Sequence, residues 1–557
     1  ATPQNPDWWP LLEAMRKAAR DSAGDSLYRQ LADRGNKLPF VHIWRPVSAW
    51  ALETLRFCCA DSLHQLQLSD ASWLDLGEAL LNRLCNTADK ALWELFNQRR
   101  TPGQMLLAHL GVNGDGTGEP VSDAYNAFVV ELLSTGYELL LTNYPVLGRL
   151  LATITQLWIE GIAEMLQRVA LSRLQLQQVF AISSDDVLQK VQLGLSDPHR
   201  GGRAVAILSF GGMDDFIKVV YKPKDMRVDA TYQQYLKTIN KSSALEPLRC
   251  LEIFNGDGYG FMEWVEHCQC STNEMLARFY TNAGRIMAVL HLLGCTDCHY
   301  ENLIASGEQL MLIDTETLLE ADLRDLISDH GDAPDTISML QASIHGSVLR
   351  SGLLPQWMFT GAGKKQAFDV SALGIQPPPP EREALGWLGL NSDGMMAGRR
   401  LQPCELPTSL PVGLGSPQRL TDFIGELCTG FATQLQESIR LRPFLLKALS
   451  EFSGQPRRLV ARNTKLYFTI QQQMLEPASL RSAVAHGLKL EQLSRSFLLA
   501  SEVPLNWPML RAELLQMERL DIPFFEHQID GEDLPLTEGL ASIPKFFKTS
   551  GLCAARL

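Results

Sequence analysis

Apolar residues recur at three- and four-residue spacing over Trp8 to Arg20, Ser72 to Arg99 and Ala124 to Gln177. That period predicts amphipathic helices, the last one broken near Asn143-Tyr144-Pro145, where proline cannot continue the ladder. The pattern then changes. Ala204 to Phe210 and Phe216 to Tyr221 are β-branched and aromatic runs joined by Gly211-Gly-Met-Asp-Asp215, which predicts a hairpin. Leu251 to Phe254 and Tyr259 to Val265 flank Asn255-Gly-Asp-Gly258 and predict a second. Helical spacing returns over Glu274 to Leu293, and Met311 to Asp314 reads as a short strand. From Leu326 to Arg419 the chain reads as loops, with a polyproline segment at Pro377 to Pro380. Helices are expected again over Leu420 to Phe452 and Gln492 to Asp521. The expectation is an α+β chain: helical over 1–184, a small-sheet core over 185–330, then loops and helices over 331–557.

Composition narrows the class. A length of 557 residues exceeds one ordinary domain, and 45% hydrophobic with 20% charged residues describes packed cores rather than disorder. A net charge of −13 argues against a nucleic-acid partner. The most apolar region, Phe128 to Ile159, is interrupted by Glu131, Glu138 and Arg149, so it reads as buried helix and not as a membrane span. No basic segment leading into an apolar core opens the chain, so no secretory signal is expected. Eleven scattered cysteines fit a reduced, cytoplasmic protein. The chain begins without Met and stops at Leu557 in what reads as helix, so both ends read as cut.

One stretch carries chemistry. In Gly294-Cys-Thr-Asp297-Cys-His299-Tyr-Glu-Asn302, an Asp is followed five residues later by Asn. Asp314 comes twelve residues beyond Asn302, at a strand end, with Glu316 next but one. Phosphoryl transfer needs such a set: a carboxylate to orient the attacking hydroxyl, and an amide oxygen and a second carboxylate to hold Mg²⁺ against phosphates. Upstream, Lys222 ends the apolar run Val219-Val-Tyr-Lys222, where kinases place the Lys that pairs with ATP phosphates. Singly, a Lys at a strand end reads as a solvated edge and an Asp-x-His as a turn. Together, in this order, they favour an atypical, lipid-kinase-like bilobal core set among helical regions. A Gly-x-Gly-x-x-Gly loop does not precede Lys222, and Asp-Thr-Glu stands in place of Asp-Phe-Gly. The extended backbone near Glu263 to Val265 is the expected adenine contact.

These motifs resemble a known family. Asp197-Pro-His199, Val220-Tyr-Lys-Pro-Lys224, Tyr259 to Val265, Thr296 to Asn302, Ile313-Asp-Thr-Glu-Thr317 and Ser347 to Pro355 look like the dehydratase domain of class II lanthipeptide synthetases (the LanM type). Tyr144-Pro-Val-Leu147 and Asp369-Val-Ser-Ala-Leu-Gly374 fit the same pattern, from about residue 90 onward. The resemblance implies ATP- and Mg²⁺-dependent phosphorylation of Ser and Thr in a ribosomal precursor peptide (leader plus core). Phosphate is then eliminated to leave dehydroalanine or dehydrobutyrine. It assigns Lys222 to the phosphates, Asp297 and His299 to the catalytic loop, and Asn302, Asp314 and Glu316 to Mg²⁺. Asp197, His199, Arg458 and Thr464 are assigned to elimination, although Asn463 stands where the family usually has Pro.

The bland reading of Arg457, Arg458 and Arg462 is a solvated basic helix face. Cys268, Cys270, Cys295 and Cys298 could be drawn as a zinc site, but core filling is the preferred reading and no zinc is expected. No Cys-His set for a zinc cyclase follows Asp314, so the chain is read either as a fragment of a larger synthetase or as a dehydratase working with a separate cyclase. Two rivals stay open: a kinase that stops at the phosphorylated product, and an inactive peptide-binding scaffold.

Overall fold

The computed structural model describes residues 6–21, 31, 34–111, 121–212, 215–321, 346–359, 367–375, 381–404, 407–413, 416–417, 419–498, 502–537, 539–547 and 549–557. Along the chain, the helices include α1 (Trp9–Asp21), α2 (Val41–Cys58), α3 (Asp70–Arg99), α4 (Asp123–Ser134), α5 (Pro145–Leu171) and α6 (Arg173–Phe180). Strands β1 (Val187–Gln192), β2 (Ala206–Gly211) and β3 (Phe216–Lys222) lead to α7 (Arg227–Ser242). Next come β4 (Ile253–Asn255), β5 (Gly260–Glu263), α8 (Asn273–Leu292), β6 (Leu303–Ser306) and β7 (Gln309–Leu312). A ribbon of β8 (Glu381–Leu388) and β9 (Met396–Pro403) precedes α9 (Ile424–Arg440) and α10 (Arg442–Ser450). The chain ends with β10 (Pro456–Leu459), α11 (Thr464–Met474), α12 (Trp507–Met517) and β11 (Phe525–Gln528). It is a mixed α and β protein with small sheets.

The chain packs as two units. One comprises Ala1–Pro223, Glu383–Gln402 and Ala461–Phe524; the other comprises Lys224–Arg382, Pro403–Val460 and Phe525–Leu557. Their border falls between Pro223 and Lys224, inside the segment expected as the kinase-like core.

In the first unit, the helical period writes the core. Helix α3 starts where the Ser69 hydroxyl accepts from Ser72 N at 3.2 Å, satisfying an orphan donor. Phe40, Phe96, Tyr125 and Phe128 pack ring on ring, with centroids 5.4–6.4 Å apart. The break before Pro145 is present, because Pro145 starts α5 at a position whose N–H would have no partner. A further break was not foreseen: Gly136 and Tyr137 take φ of 61° and 64° and end α4's course. Helix α5 is long and apolar enough to cross a membrane, but 61% of its apolar window is buried inside the protein, so it is a core helix. β1, β2 and β3 form an antiparallel meander, with Ala206 opposite Tyr221 and Gly211 opposite Phe216.

In the second unit, α8 runs against α9 through two glycines. A Cβ at Gly284 would run into the Leu427 carbonyl, and one at Gly430 into the Thr281 carbonyl. Around this crossing lie Leu276, Phe279, Leu290, Leu303, Leu312 and Leu445, all buried. The β4–β5 hairpin turns at Asn255 to Gly258 as its sequence required.

Several expectations are corrected. Residues 492–521 are not one helix: a 3-10 turn covers Glu491–Phe497, and α12 begins only at Trp507, because Pro504 and Pro508 interrupt the ladder. The stretch read as loops holds the β8–β9 ribbon, whose alternation is masked by Gly386, Gly389 and Gly398. Pro377 to Pro380 lies outside the described residues. The chain end is not helical, since Ala555 is extended after a short 3-10 turn at Gly551–Ala554.

Candidate active site

In the second unit the β6–β7 hairpin pairs Leu303 with Leu312, and the ladder continues outward as Ile313 N donates to the Asn302 carbonyl at 3.0 Å. Asn302 and the Ile313-Asp314 step are thereby brought side by side at the hairpin's open end. Asn302 Nδ2 donates to the Asp297 carbonyl at 2.8 Å, folding the Asp297–Asn302 loop back on itself. Asp297 holds φ at 56°, a left-handed conformation that costs a non-glycine residue. His299 Nδ1 accepts from Glu301 N at 3.2 Å, so the neutral ring carries its proton on Nε2, 3.8 Å from Asp297 Oδ1. The Asp297 side chain is 53% exposed. Partial burial still disfavours the charge and raises its carboxyl; His299 and Arg458 counteract this, while Asp314 and Glu320 add to it.

A chain of charges runs from Asp314. Lys224 Nζ donates to Asp314 Oδ1 and to Glu316 Oε1, both at 3.0 Å, and lies 3.9 Å from Asp229. Glu316 Oε2 accepts from Arg458 at 2.7 Å. Burial alone would raise the Glu316 carboxyl, yet Lys224 and then Arg458 hold it far below the usual carboxylate range. Burial would likewise lower Lys224, and Asp229, Asp314 and Glu316 outweigh it, keeping the ammonium charged. Asn302 Oδ1 and Asp314 Oδ2 accept no hydrogen bond from the described residues, and both are hard oxygen donors suited to Mg²⁺. Both oxygens of Glu316 are already taken by cations. No group of three or more His, Cys, Asp or Glu among the described residues could hold a metal alone. Mg²⁺ fits here only as a partly hydrated ion completed by phosphate oxygens.

Arg457 and Arg458 are not on a solvated helix. They alternate on β10, paired with β11, and so point to opposite faces: Arg458 to Glu316, and the buried Arg457 to Glu320 at 3.3 Å and to the Leu319 carbonyl. Glu320 also accepts from the Thr296 hydroxyl, and its carbonyl accepts from Arg350 at 2.7 Å. The two other motif segments brace the same loop. Cys298 N donates to the Ser351 carbonyl, and His299 bridges to Ser371, whose N–H is held by the buried Asp369 carboxylate. The motif resemblance named Arg458 and both segments, but nothing in the sequence showed that they meet around this loop; Arg-Arg on a short strand carries no helical period to reveal it. Cys295 and Cys298 lie in the apolar core with Sγ atoms 3.2 Å apart, as core filling requires.

Glu263 ends β5 and pairs with Arg249 at 2.6 Å, and Val265 beyond it is buried. Four of the expected residues lie in the first unit. Lys222 ends β3 and is buried, not a solvated edge. Asp197 is exposed at the start of the Asp197 to Arg203 turn. His199 Nδ1 donates to the Ile522 carbonyl at 2.7 Å, which leaves Nε2 as the ring's basic nitrogen. Gly201 and Gly202, both at positive φ, point successive N–H groups at the Asp521 carboxylate, 2.6 and 2.8 Å away, and fix that turn. Thr464 opens α11, capped by Asn463, while Arg462 grips the buried Glu513 through two N–H groups at 2.7 and 3.1 Å.

Comparison with known proteins agrees with this reading of the motifs. The chain is 20% identical over 471 residues to the lacticin 481/lactococcin biosynthesis protein LcnDR2 of Lactococcus lactis subsp. lactis, a match covering 82% of this chain and 47% of that protein. The chain thus spans about half the length of the curated relative it matches. The family described as Domain of unknown function (DUF4135) matches residues 144–528, which include every motif residue placed above. The chain belongs to the DUF4135 family and is a class II lanthipeptide synthetase-like protein.

Proposed function

We propose that the chain dehydrates Ser and Thr of a ribosomally made precursor peptide, phosphorylating the hydroxyl with ATP and then eliminating phosphate. The observation that carries the reading is the continuous contact from Asp314 through Lys224 and Glu316 to Arg458. It joins the residues proposed for phosphoryl transfer to the arginine proposed for elimination. Asn302 and Asp314 would hold Mg²⁺, which when bound offsets phosphate charge. Asp297 orients the peptide hydroxyl and takes up its proton, a role its raised carboxyl favours; His299 lies beside it, Nε2 3.8 Å from Oδ1. Arg458 binds the departing phosphate, whose oxygens match a guanidinium. Lys222 for phosphates, Asp197 and His199 for proton transfer, Thr464 for elimination and the Glu263–Val265 backbone for adenine enter on motif resemblance, each tested by its own variant. The peptide is the partner, thiol cyclisation falls to a separate or attached cyclase, and the cytoplasm supplies ATP.

Mass spectrometry of a Ser- and Thr-containing precursor peptide incubated with the chain, ATP and Mg²⁺ tests this. Dehydration removes about 18 Da per residue, a kinase that stops adds about 80 Da, and a scaffold changes nothing. A peptide that only gains mass, with wild-type protein, overturns the lyase half of the proposal.

A further inference from the structure

The turn between β3 and α7 supplies a group to which sequence reading gave no role. We infer that Lys224 is a positioning residue for elimination, acting through Glu316 to hold the Arg458 guanidinium. The inference rests on the elimination role proposed above for Arg458.

Three observations carry it. Lys224 is largely buried, its side chain 15% exposed, and its ammonium meets three carboxylates: Asp229, Asp314 and Glu316. Its place is set by the local chain, because Asp225 accepts from Arg227 N at 2.9 Å and Met226 N donates to Asn255, fixing the turn. Glu316 is 17% exposed and divides its two oxygens between two cations, Oε1 to Lys224 and Oε2 to Arg458. A carboxylate clamped on one oxygen cannot swing, so the other presents a fixed acceptor to Arg458. Lys224 also takes up part of the Glu316 charge. Without it, Glu316 would neutralise Arg458 more completely, leaving less positive potential for a phosphate dianion. Arg458 comes from β10, a two-stranded element anchored elsewhere by Arg457 on Glu320, and its guanidinium reaches Glu316 from that anchored strand.

The test separates elimination from phosphorylation. A synthetic peptide carrying one phosphoserine is given without ATP, and released inorganic phosphate is measured for wild type, Lys224→Met, Lys224→Arg, Glu316→Gln and the combined variants. The expected result is a roughly 10- to 100-fold slower release for Lys224→Met and for Glu316→Gln, with the double variant within about twofold of the slower single one. Lys224→Arg keeps the charge and is expected to stay within about fivefold of wild type. Multiplying losses in the double variant, or wild-type release by Lys224→Met, overturns the inference. Should Lys224→Met not fold, Lys224→Gln takes its place in the same cycle with Glu316→Gln: its loss must vanish in the Glu316→Gln background, and persistence or wild-type release overturns the inference. Failure of the wild-type protein to release phosphate overturns the elimination reading itself, and this inference with it.

Discussion

At the scale of single residues, the proposed division of labour makes two separable predictions. Asp297→Asn retains the fold of its loop, because the contact from Asn302 is to the Asp297 carbonyl and not to its side chain. Peptide incubated with that variant is expected to show neither phosphorylated nor dehydrated product by mass spectrometry. Arg458→Met is expected to do the opposite: phosphorylation persists, and phosphopeptide accumulates because elimination slows by roughly 10²–10³. Equal loss of both steps in Arg458→Met would point to a structural role for the Arg458–Glu316 pair. The spacing of Asp297, Asn302 and Asp314 made their meeting legible in the sequence, since a tight hairpin is all that lies between the last two. Lys224 was not legible as a partner of Asp314 and Glu316. Two lysines flank Pro223, and only the turn geometry shows what each one reaches. The bland reading of the arginines as a helix face fails for a related reason: alternation on a strand sends Arg457 and Arg458 to different carboxylates.

Elements with strong local signals were readable, and elements made by tertiary contact were not. Both glycine-turned hairpins and α8 lie where apolar period and turn residues put them. Helix α2 holds Pro46 inside it and its first half is nearly all buried, so no polar face marks the period there. Helix α11 leaves Leu466 and Phe468 exposed, which blurs its stripe. The α8–α9 crossing is the clearest case of a contact invisible in the sequence, because two glycines far apart read as ordinary helix interruptions. Their closeness to opposite backbones makes a sharp prediction. Gly284→Ala is expected to destabilise the protein by about 1–3 kcal/mol, since backbone cannot move aside as a side chain can. Gly425→Ala, in α9 with nothing within 4 Å of its Cβ position, should instead be neutral or stabilising by up to about 1 kcal/mol. Urea denaturation of both variants decides, and equal midpoints would contradict the close approach.

At the scale of the whole molecule, the response to acid follows from three histidines packed away from water. His42 and His486 in the first unit and His527 in the second are each lowered to about 4, by burial first and then by Arg45, Arg149 and Arg457 respectively. In the unfolded chain a histidine binds its proton near pH 6.5. Between about pH 6.5 and 4 the unfolded state therefore binds more protons than the folded one, and stability falls as pH falls through that window. Below about 4 both states are protonated and this loss levels off. For His486 and His527, both almost fully buried, the shift corresponds to about 3 kcal/mol each at most. Glu316 acts later. Its folded carboxyl is depressed, so its contribution is intact above its unfolded value of about 4.3 and is lost only as pH falls further. The histidines should thus govern the first acid loss and the carboxylate network the last. Denaturant midpoints measured at pH 7 and pH 5 are expected to drop for the native sequence, and to drop less for His486→Gln combined with His527→Gln. His527 stacks on Phe547 at 4.1 Å, so the double variant will be weaker at pH 7; the slope against pH, not the absolute stability, is the readout. An unchanged slope would mean that other groups carry the proton uptake and that these imidazoles are better solvated than their packing implies.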